Sequence, residues 1–209
     1  MKLISHFRQA LLLMIFPSRE WLVIKDAPYT MRMLLYNYAL PIVIFSALGK
    51  TIGSIFSVQS YWSSPEDTWF LVLFPLFNFM AWIAISYFII FFSVIILNGL
   101  MPGFGAERNL LNTYKLVVYA YTPLLIITFF VYLHPIMRLL IPIGLPIFGA
   151  YTLYFLWYGV KDLFQMPYER RIGFIALLML LELLLFFFLG RGLVYMTDFF
   201  FPGMSIYFL

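Results

Sequence analysis

The chain has 209 residues, of which 64% are hydrophobic and 11% charged, and its formal net charge is +4. A soluble domain is nearer half apolar and a quarter charged, so this composition excludes an ordinary soluble domain and indicates an integral membrane protein. Cysteine is absent, which excludes disulfides, thiolate chemistry and cysteine-based metal sites. The basic residues lie at the ends of apolar segments, where membrane topology accounts for them, so no nucleic-acid partner is expected.

Residues 1–28 precede the first long apolar run and predict two short helices. Apolar side chains repeat on one helical face of residues 1–16, which is typical of an amphipathic helix lying in the membrane interface. Pro17 breaks that helix, and a second one follows through Lys25. A signal peptide is the alternative, but Pro-Ser-Arg-Glu-Trp follows the apolar run in place of a small-residue cleavage site.

Five long apolar runs predict an all-α integral membrane protein with a five-helix transmembrane bundle. Each run reaches the ~20 residues that span ~30 Å of hydrocarbon. Continuous apolar runs lack the alternation of a barrel strand, so helices are favoured. A re-entrant hairpin is an alternative for the third and fourth runs, although each is long enough to span alone. The runs lie near 34–58, 69–98, 113–134, 140–162 and 172–197, and residues 1–209 form one domain.

The distribution of Lys and Arg predicts the topology of these spans. The basic residues concentrate before the first span, after the second and after the fourth, and cytoplasmic loops carry such an excess. The N-terminus is therefore expected in the cytoplasm and the C-terminus outside. The residues on the predicted inner side are Lys2, Arg8, Arg19, Lys25, Arg32, Arg108, Lys115, Lys161, Arg170 and Arg171, against Lys50, Arg138 and Arg191 on or towards the other.

Glu182 stands alone among apolar residues near the middle of the fifth run. Inserting Asp, Lys or Arg at such a depth costs ~2.5–3.5 kcal/mol, so an intramembrane carboxyl is a candidate functional site. It could serve as a proton or cation relay, or as a counter-charge for a lipid or partner helix. A protonated carboxyl that hydrogen-bonds a neighbouring helix is the favoured interpretation. Its candidate partners are Asn78, Tyr119, Tyr121 and Thr122.

A stripe of small residues on the first span predicts a helix-packing face, because small side chains let a second helix approach closely. Packing within the chain is favoured, and contact with another membrane protein or a second copy is the alternative. Lys50 lies off the stripe and is expected to extend to the outer interface. The stripe consists of Ser46, Gly49, Gly53 and Ser57.

Patterns that indicate catalysis are missing. The two histidines, His6 and His134, are predicted on opposite sides of the membrane, so they cannot form a metal site. No base accompanies the Ser and Thr residues, and the glycines of residues 99–105 lack the Lys-Ser/Thr of a phosphate-binding loop. We therefore expect no enzymatic activity and no cofactor.

Several short motifs resemble the Yip family of polytopic membrane proteins, named for eukaryotic members that interact with Rab-type GTPases. They are the pre-membrane segment Phe-Pro-Ser-Arg-Glu-Trp at 16–21, the Gly-rich inner loop before the third span, Tyr-Ala-Tyr-Thr-Pro at 119–123, and residues 149–154 with the basic loop 166–171. The third is similar to the family's Tyr-x-Tyr-Ser-x-x-Pro type pattern, with the proline two residues early. The eukaryotic Asp-Leu-Tyr-Gly-Pro motif and long N-terminal tail are absent, which argues against GTPase binding. The resemblance implies a prokaryotic-type member with five spans in the cytoplasmic membrane and no catalytic residues.

Two functions follow as hypotheses. The first is a non-enzymatic scaffold or accessory subunit in membrane organisation or trafficking, with membrane lipids and other membrane proteins as partners. Its contact surfaces would be the N-terminal helix, the inner loop 99–112 and the small-residue stripe. The second is a small transporter or lipid-translocating protein that uses Glu182 and a third span kinked at Pro123. The Glu182→Gln substitution separates them, because a relay would lose activity whereas a packing contact would tolerate the change.

Overall fold

The computed structural model describes residues 2–61 and 70–201, and the regular elements in these ranges are all helical. A π-helical turn, Leu35–Ala39, joins α3 to α4, and 3₁₀ turns at Met101–Phe104 and Pro135–Leu140 follow α5 and α7. The α-helices are α1 (Lys2–Ile15), α2 (Pro17–Asp26), α3 (Met31–Leu34), α4 (Leu40–Tyr61), α5 (Phe70–Leu100), α6 (Leu110–Ala120), α7 (Thr122–Leu133), α8 (Ile141–Phe164) and α9 (Tyr168–Phe200).

Within residues 2–61 and 70–201, five helical segments are long and apolar enough to cross a membrane, which confirms the predicted fold class. Most predicted ends lie within about one helical turn of the observed ones. The third and fourth segments are each long and apolar enough to span alone, which favours two spans over a re-entrant hairpin. The five segments are Met31–Phe56, Leu71–Phe104, Leu110–Leu133, Ile136–Phe164 and Tyr168–Phe200.

The third span is divided into two halves at Tyr121. Pro123 has no backbone N–H, so the carbonyl of Tyr119 loses its donor four residues on, and the proline ring disfavours a regular turn before it. α6 therefore ends at Ala120, and α7 begins at Thr122. The break directs the side chains on either side of Tyr121 towards different neighbours.

The protein core lies around α6, at the end of the bundle predicted to be cytoplasmic. Every residue from Thr113 to Ala120 is buried, so this half-span is surrounded by protein. α9 is the opposite case. Only 11% of its most apolar window is buried, against 56% for the third span. α9 therefore lies at the periphery and presents most of its surface to lipid.

The N-terminal helices pack their apolar faces against the inner end of this bundle. Leu13, Trp21 and Ile24 are fully buried. The Trp21 ring lies over Gly159 of α8, so close that a Cβ at that glycine would lie 2.9 Å from the indole. The interface helices predicted from the amphipathic pattern are thus integrated into the protein core.

Lys115 of α6 fastens α2 from inside the protein. Its ammonium donates hydrogen bonds to the carbonyl oxygens of Ile24, Lys25 and Ala27, at 2.8, 3.0 and 3.2 Å. The last carbonyls of a helix have no partner within the helix and carry the negative end of its dipole. The buried lysine supplies both hydrogen-bond donors and a positive charge at this helix end. It therefore anchors α2, although the sequence alone predicted it only as an indicator of membrane topology.

The inner loop after the second span has a defined conformation. Gly105 adopts φ +76°, a left-handed conformation that favours glycine. The guanidinium of Arg170 lies against its Cα, and Phe104 meets Phe174 edge to face at 5.3 Å. These contacts hold the loop against the first turns of α9.

Candidate intramembrane cavity

Glu182 of α9 faces α5 and the break in the third span. Its carboxyl interacts with the hydroxyls of Ser93 and Tyr121. The Tyr121 hydroxyl also donates a hydrogen bond to the Ser93 oxygen at 3.0 Å, and both side chains are buried or nearly so. The three groups therefore form one polar cluster that joins α5, the break in the third span and α9 inside the membrane.

The other predicted partners of Glu182 contact different elements. Asn78 donates to the carbonyl of Phe74 on its own helix at 2.9 Å. Thr122 shares a hydrogen bond with Tyr38. Of the four candidates, the structure places only Tyr121 beside the carboxyl.

Tyr119 belongs to a second network, at the N-terminal helices. Its ring stacks on that of Tyr38 at 4.5 Å and meets Trp21 edge to face at 6.3 Å. Its hydroxyl lies 3.5 Å from the Gln9 side-chain oxygen, which also accepts from Tyr29. Burial raises the pKa of Tyr29 above its usual value. The motif at 119–123 therefore connects α1, α2 and the π-helical turn to the third span.

Sequence reasoning missed Ser93, although a signal was present. Ser86 and Ser93 are seven residues apart on α5, hence on one helical face, and both are buried. A buried hydroxyl inside an apolar span needs a partner. Ser93 finds one in the carbonyl of Ile89 and another in Tyr121.

Glu182 and Tyr121 line a cavity of about 620 Å³ between the spans. This volume lies within the ~300–1,000 Å³ typical of small-molecule sites. Its walls are mainly apolar, as in such sites. The lining includes Ile85, Ser86, Ile90, Leu124, Leu125 and Thr128 from α5 and α7, Leu145, Pro146, Gly149, Ala150 and Leu153 from α8, and Leu178, Met179, Leu183, Phe186 and Gly190 from α9.

The exposed part of the cavity lining lies on α8 and α9. Exposed members of its lining lie on these two helices, for example Pro146 and Ala150 on one and Leu183 and Phe186 on the other. The lining residues on α5 are buried or half-buried. Because both helices are long and apolar enough to span a membrane, we infer that the cavity is open here to the hydrocarbon of the bilayer.

Lys50 lines the other end of the cavity, which corrects the expectation that it extends to the interface. The side chain is 5% exposed. Its ammonium lies 4.0 Å from the centroid of the Tyr132 ring and 4.6 Å from that of Trp82. The face of an aromatic ring attracts a cation, and this attraction contributes ~2 kcal/mol or more when the pair is desolvated. The Trp82 and Tyr132 rings therefore favour a position of the ammonium inside the bundle over one at the membrane interface.

The two ionisable ends of the cavity lie about three helical turns apart. Glu182 sits at the level of Tyr121 and Lys50 at the level of Tyr132, both on the third span. At 1.5 Å per residue this separation is ~16 Å. Residues of α5 give the same separation, because Ser93 lies beside Tyr121 and Trp82 lies beside Lys50. The cavity therefore extends from mid-membrane towards the side predicted to be outside.

The small-residue stripe on α4 packs within the chain, against α7. A Cβ at Gly49 or Gly53 would overlap the carbonyl oxygens of Phe129 and Tyr132 respectively. Ser46, on the same stripe, accepts a hydrogen bond from the Trp82 indole at 2.9 Å. The side chain of Ser57 lies outside the described residues.

Metal-binding chemistry has no support in the described ranges, 2–61 and 70–201. Groups of three His, Asp or Glu side chains close enough to hold a metal ion are not found there. The one ion pair between these described residues joins neighbours, Lys161 and Asp162, at 3.9 Å.

Comparisons with known proteins gave one result. A family model described as the Yip1 domain matches residues 11–190. Searches among curated proteins and solved structures returned no match. The family match covers the end of α1 to most of α9 and therefore includes most of the cavity lining and most of the buried network around α6.

Proposed function

Since the chain belongs to the Yip family of membrane proteins, we propose that it is a non-enzymatic member that binds a lipid within its helical bundle and transfers this lipid from one environment to another. The observation that supports this proposal is the cavity whose exposed lining residues lie on α8 and α9, two helices long and apolar enough to span a membrane. A site built to take its ligand from water would open at a loop end of the bundle instead. The membrane we propose for it is the cytoplasmic membrane of a bacterium or archaeon.

Two glycines at the opening provide the test of lipid entry. Added Cβ atoms at Gly149 of α8 and Gly190 of α9 would meet nothing within 4 Å, although both residues line the cavity. A Gly149→Leu substitution therefore fills the cavity mouth without displacing a neighbour. Gly192 is equally unhindered but lies outside the lining, so Gly192→Leu is the matched control.

Lipid entry can be measured with a photoreactive neutral lipid analogue that carries a diazirine in its chain, in liposomes. We expect labelling of Ile90 and Leu178, which are buried cavity residues, normalised to the exposed lipid-facing Phe188. Gly149→Leu should lower that ratio about tenfold, as for a loss of ~1.4 kcal/mol in binding. Gly192→Leu should leave it unchanged. Unlabelled Ile90 and Leu178 in the wild-type protein would refute lipid binding here.

A scaffold function is the second candidate, and it rests on the N-terminal helices. Lys115 fixes α2 to the bundle and the Tyr151 hydroxyl donates to the Met14 carbonyl of α1, yet both helices present apolar side chains outward. Exposed apolar patches on a rigid surface mark contact sites for proteins or membranes. The patch consists of Leu11, Ile15, Phe16, Leu22 and Val23.

Because the chain lacks cysteine, a single introduced thiol can report contacts of this patch. Under the scaffold hypothesis, Leu22→Cys in native membranes should give a discrete crosslinked protein species with a bifunctional thiol reagent. Phe188→Cys, on the lipid-facing side of α9, is the control and should give none. Equal behaviour of the two variants would leave the lipid-binding function as the sole proposal.

A further inference from the structure

The hydroxyl protons beside Glu182 can be counted, because the structure gives an acceptor for each of them. Ser93 has one hydroxyl proton, which it donates to the carbonyl oxygen of Ile89 at 2.7 Å. Tyr121 also has one, which it donates to the Ser93 oxygen at 3.0 Å. Both hydroxyls interact with the carboxyl of Glu182, yet neither keeps a proton to donate to it.

This count determines the hydrogen bonding of the carboxyl itself. A carboxylate only accepts hydrogen bonds, whereas a protonated carboxyl donates one and still has an accepting oxygen. Beside two hydroxyl oxygens whose protons are used elsewhere, Glu182 completes the cluster as a protonated donor. The neutral form also avoids the cost of an isolated charge inside the membrane. Glu182 therefore begins a row of donors that runs through Tyr121 and Ser93 to a backbone carbonyl.

The other carboxyl oxygen keeps its capacity to accept a hydrogen bond, and Glu182 lines the cavity. Within residues 2–61 and 70–201, the hydrogen-bond partners of this carboxyl are the two hydroxyls already counted. Two threonines of the lining, Thr128 and Thr152, donate to carbonyls of their own helices. Ser86, also in the lining, lies ~10 Å along α5 from Ser93. A ligand that brings a donor to this oxygen therefore gains a hydrogen bond in an apolar cavity.

We propose that the cavity binds a neutral single-chain amphiphile whose hydroxyl head group donates a hydrogen bond to Glu182 while its hydrocarbon chain lies between the apolar walls. This inference rests on the proposed lipid-binding function and specifies its ligand. A hydroxyl suits a protonated carboxyl, because neither group has to be taken out of water as an ion. The volume of about 620 Å³ belongs to the range of single, drug-sized ligands.

Competition against the neutral photoreactive analogue tests the head group. Oleyl alcohol, oleyl methyl ether and oleylamine share a chain, and their head groups are a neutral donor, a group without a donor and a cationic donor. In the wild-type protein we expect the alcohol to suppress labelling of Ile90 and Leu178 at about tenfold lower concentration than the ether. The amine should compete no better than the alcohol, because its charge would have to be buried or neutralised.

Variants of Glu182 connect this preference to the carboxyl. Glu182→Leu removes both oxygens and should abolish the difference between alcohol and ether while labelling persists. Glu182→Gln keeps one donor and an accepting oxygen in the same shape, so it should keep the preference. Glu169→Leu makes the same change at an exposed position in the first turn of α9, outside the cavity lining, and is the control with no expected effect.

The outcomes separate this inference from the function on which it rests. Equal suppression by alcohol and ether in the wild-type protein would overturn the hydroxyl assignment and leave lipid binding in place. The assignment would also be wrong if Glu182→Leu, still labelled at Ile90 and Leu178, kept the alcohol preference. An amine that competes better than the alcohol in the wild-type protein, but not in Glu182→Gln, would replace the hydroxyl by a cationic head group on an ionised carboxylate. A wild-type protein without labelling would refute both proposals.

Discussion

A Gly53→Leu substitution is expected to prevent stable assembly of the bundle, with a loss of about 4 kcal/mol or more in unfolding free energy. α4 and α7 approach so closely that a Cβ at Gly53 would overlap the carbonyl oxygen of Tyr132. The obstacle is helical backbone, which cannot rotate away as a side chain does. The two helices would have to separate along their length, and the dispersion contacts that hold spans together in lipid would be lost.

Titration with SDS in detergent micelles, followed by circular dichroism and size exclusion, measures this loss. Gly192→Leu makes the same chemical change on a membrane span, at a position with open space, and should unfold at the wild-type SDS concentration. If Gly53→Leu unfolded together with this control, the close approach of α4 and α7 would be wrong.

Substitution of Lys115 by methionine is expected to release α2 from the bundle at a cost of about 3 kcal/mol. The ammonium donates three hydrogen bonds to carbonyls at or just beyond the end of α2, and methionine keeps the length of the side chain without any donor. The carbonyls of Ile24 and Lys25 would then be buried without this donor, whereas that of Ala27 keeps the Tyr29 N–H, or α2 would leave its site. Trp21 and Ile24 would be exposed with it, since they are buried in the same contact.

Hydrogen exchange resolved by peptide distinguishes local release from global unfolding. In Lys115→Met, amides of residues 18–27 should exchange faster while those of α4 and α7 keep their protection. Lys161→Met provides the comparison, because half of that side chain is exposed and no helix end depends on it. Unchanged protection of residues 18–27 in Lys115→Met would show that Trp21 and Ile24 alone hold the helix.

Hydropathy predicts the spans of this protein well, because a run of some 20 apolar residues has few alternatives in a bilayer. It also places Glu182 at mid-membrane and identifies Tyr121 as a candidate partner. The choice among Asn78, Tyr119, Tyr121 and Thr122 depends on helix rotation, which the sequence of a uniformly apolar span specifies weakly.

Lys50 and Lys115 show the limits of reasoning from segment ends. A lysine near a span end is expected to extend to the interface. Here Trp82 and Tyr132 hold one ammonium inside, and the carbonyls of α2 hold the other. Both arrangements join residues from distant parts of the chain, so no local pattern reveals them. The cavity likewise joins side chains of α5, α7, α8 and α9, which are distant in the sequence.

The contact between Lys115 and α2 also constrains how the protein is made. The ribosome produces α2 about 90 residues before the lysine that completes its end. At a synthesis rate of ~5–20 residues per second, α2 is therefore present for several seconds before Lys115 has been made. During this interval the amphipathic face of α2, which later packs on α6 and α8, can lie among the lipid headgroups. The end of α2 thus reaches its final contacts only after α6 has been made.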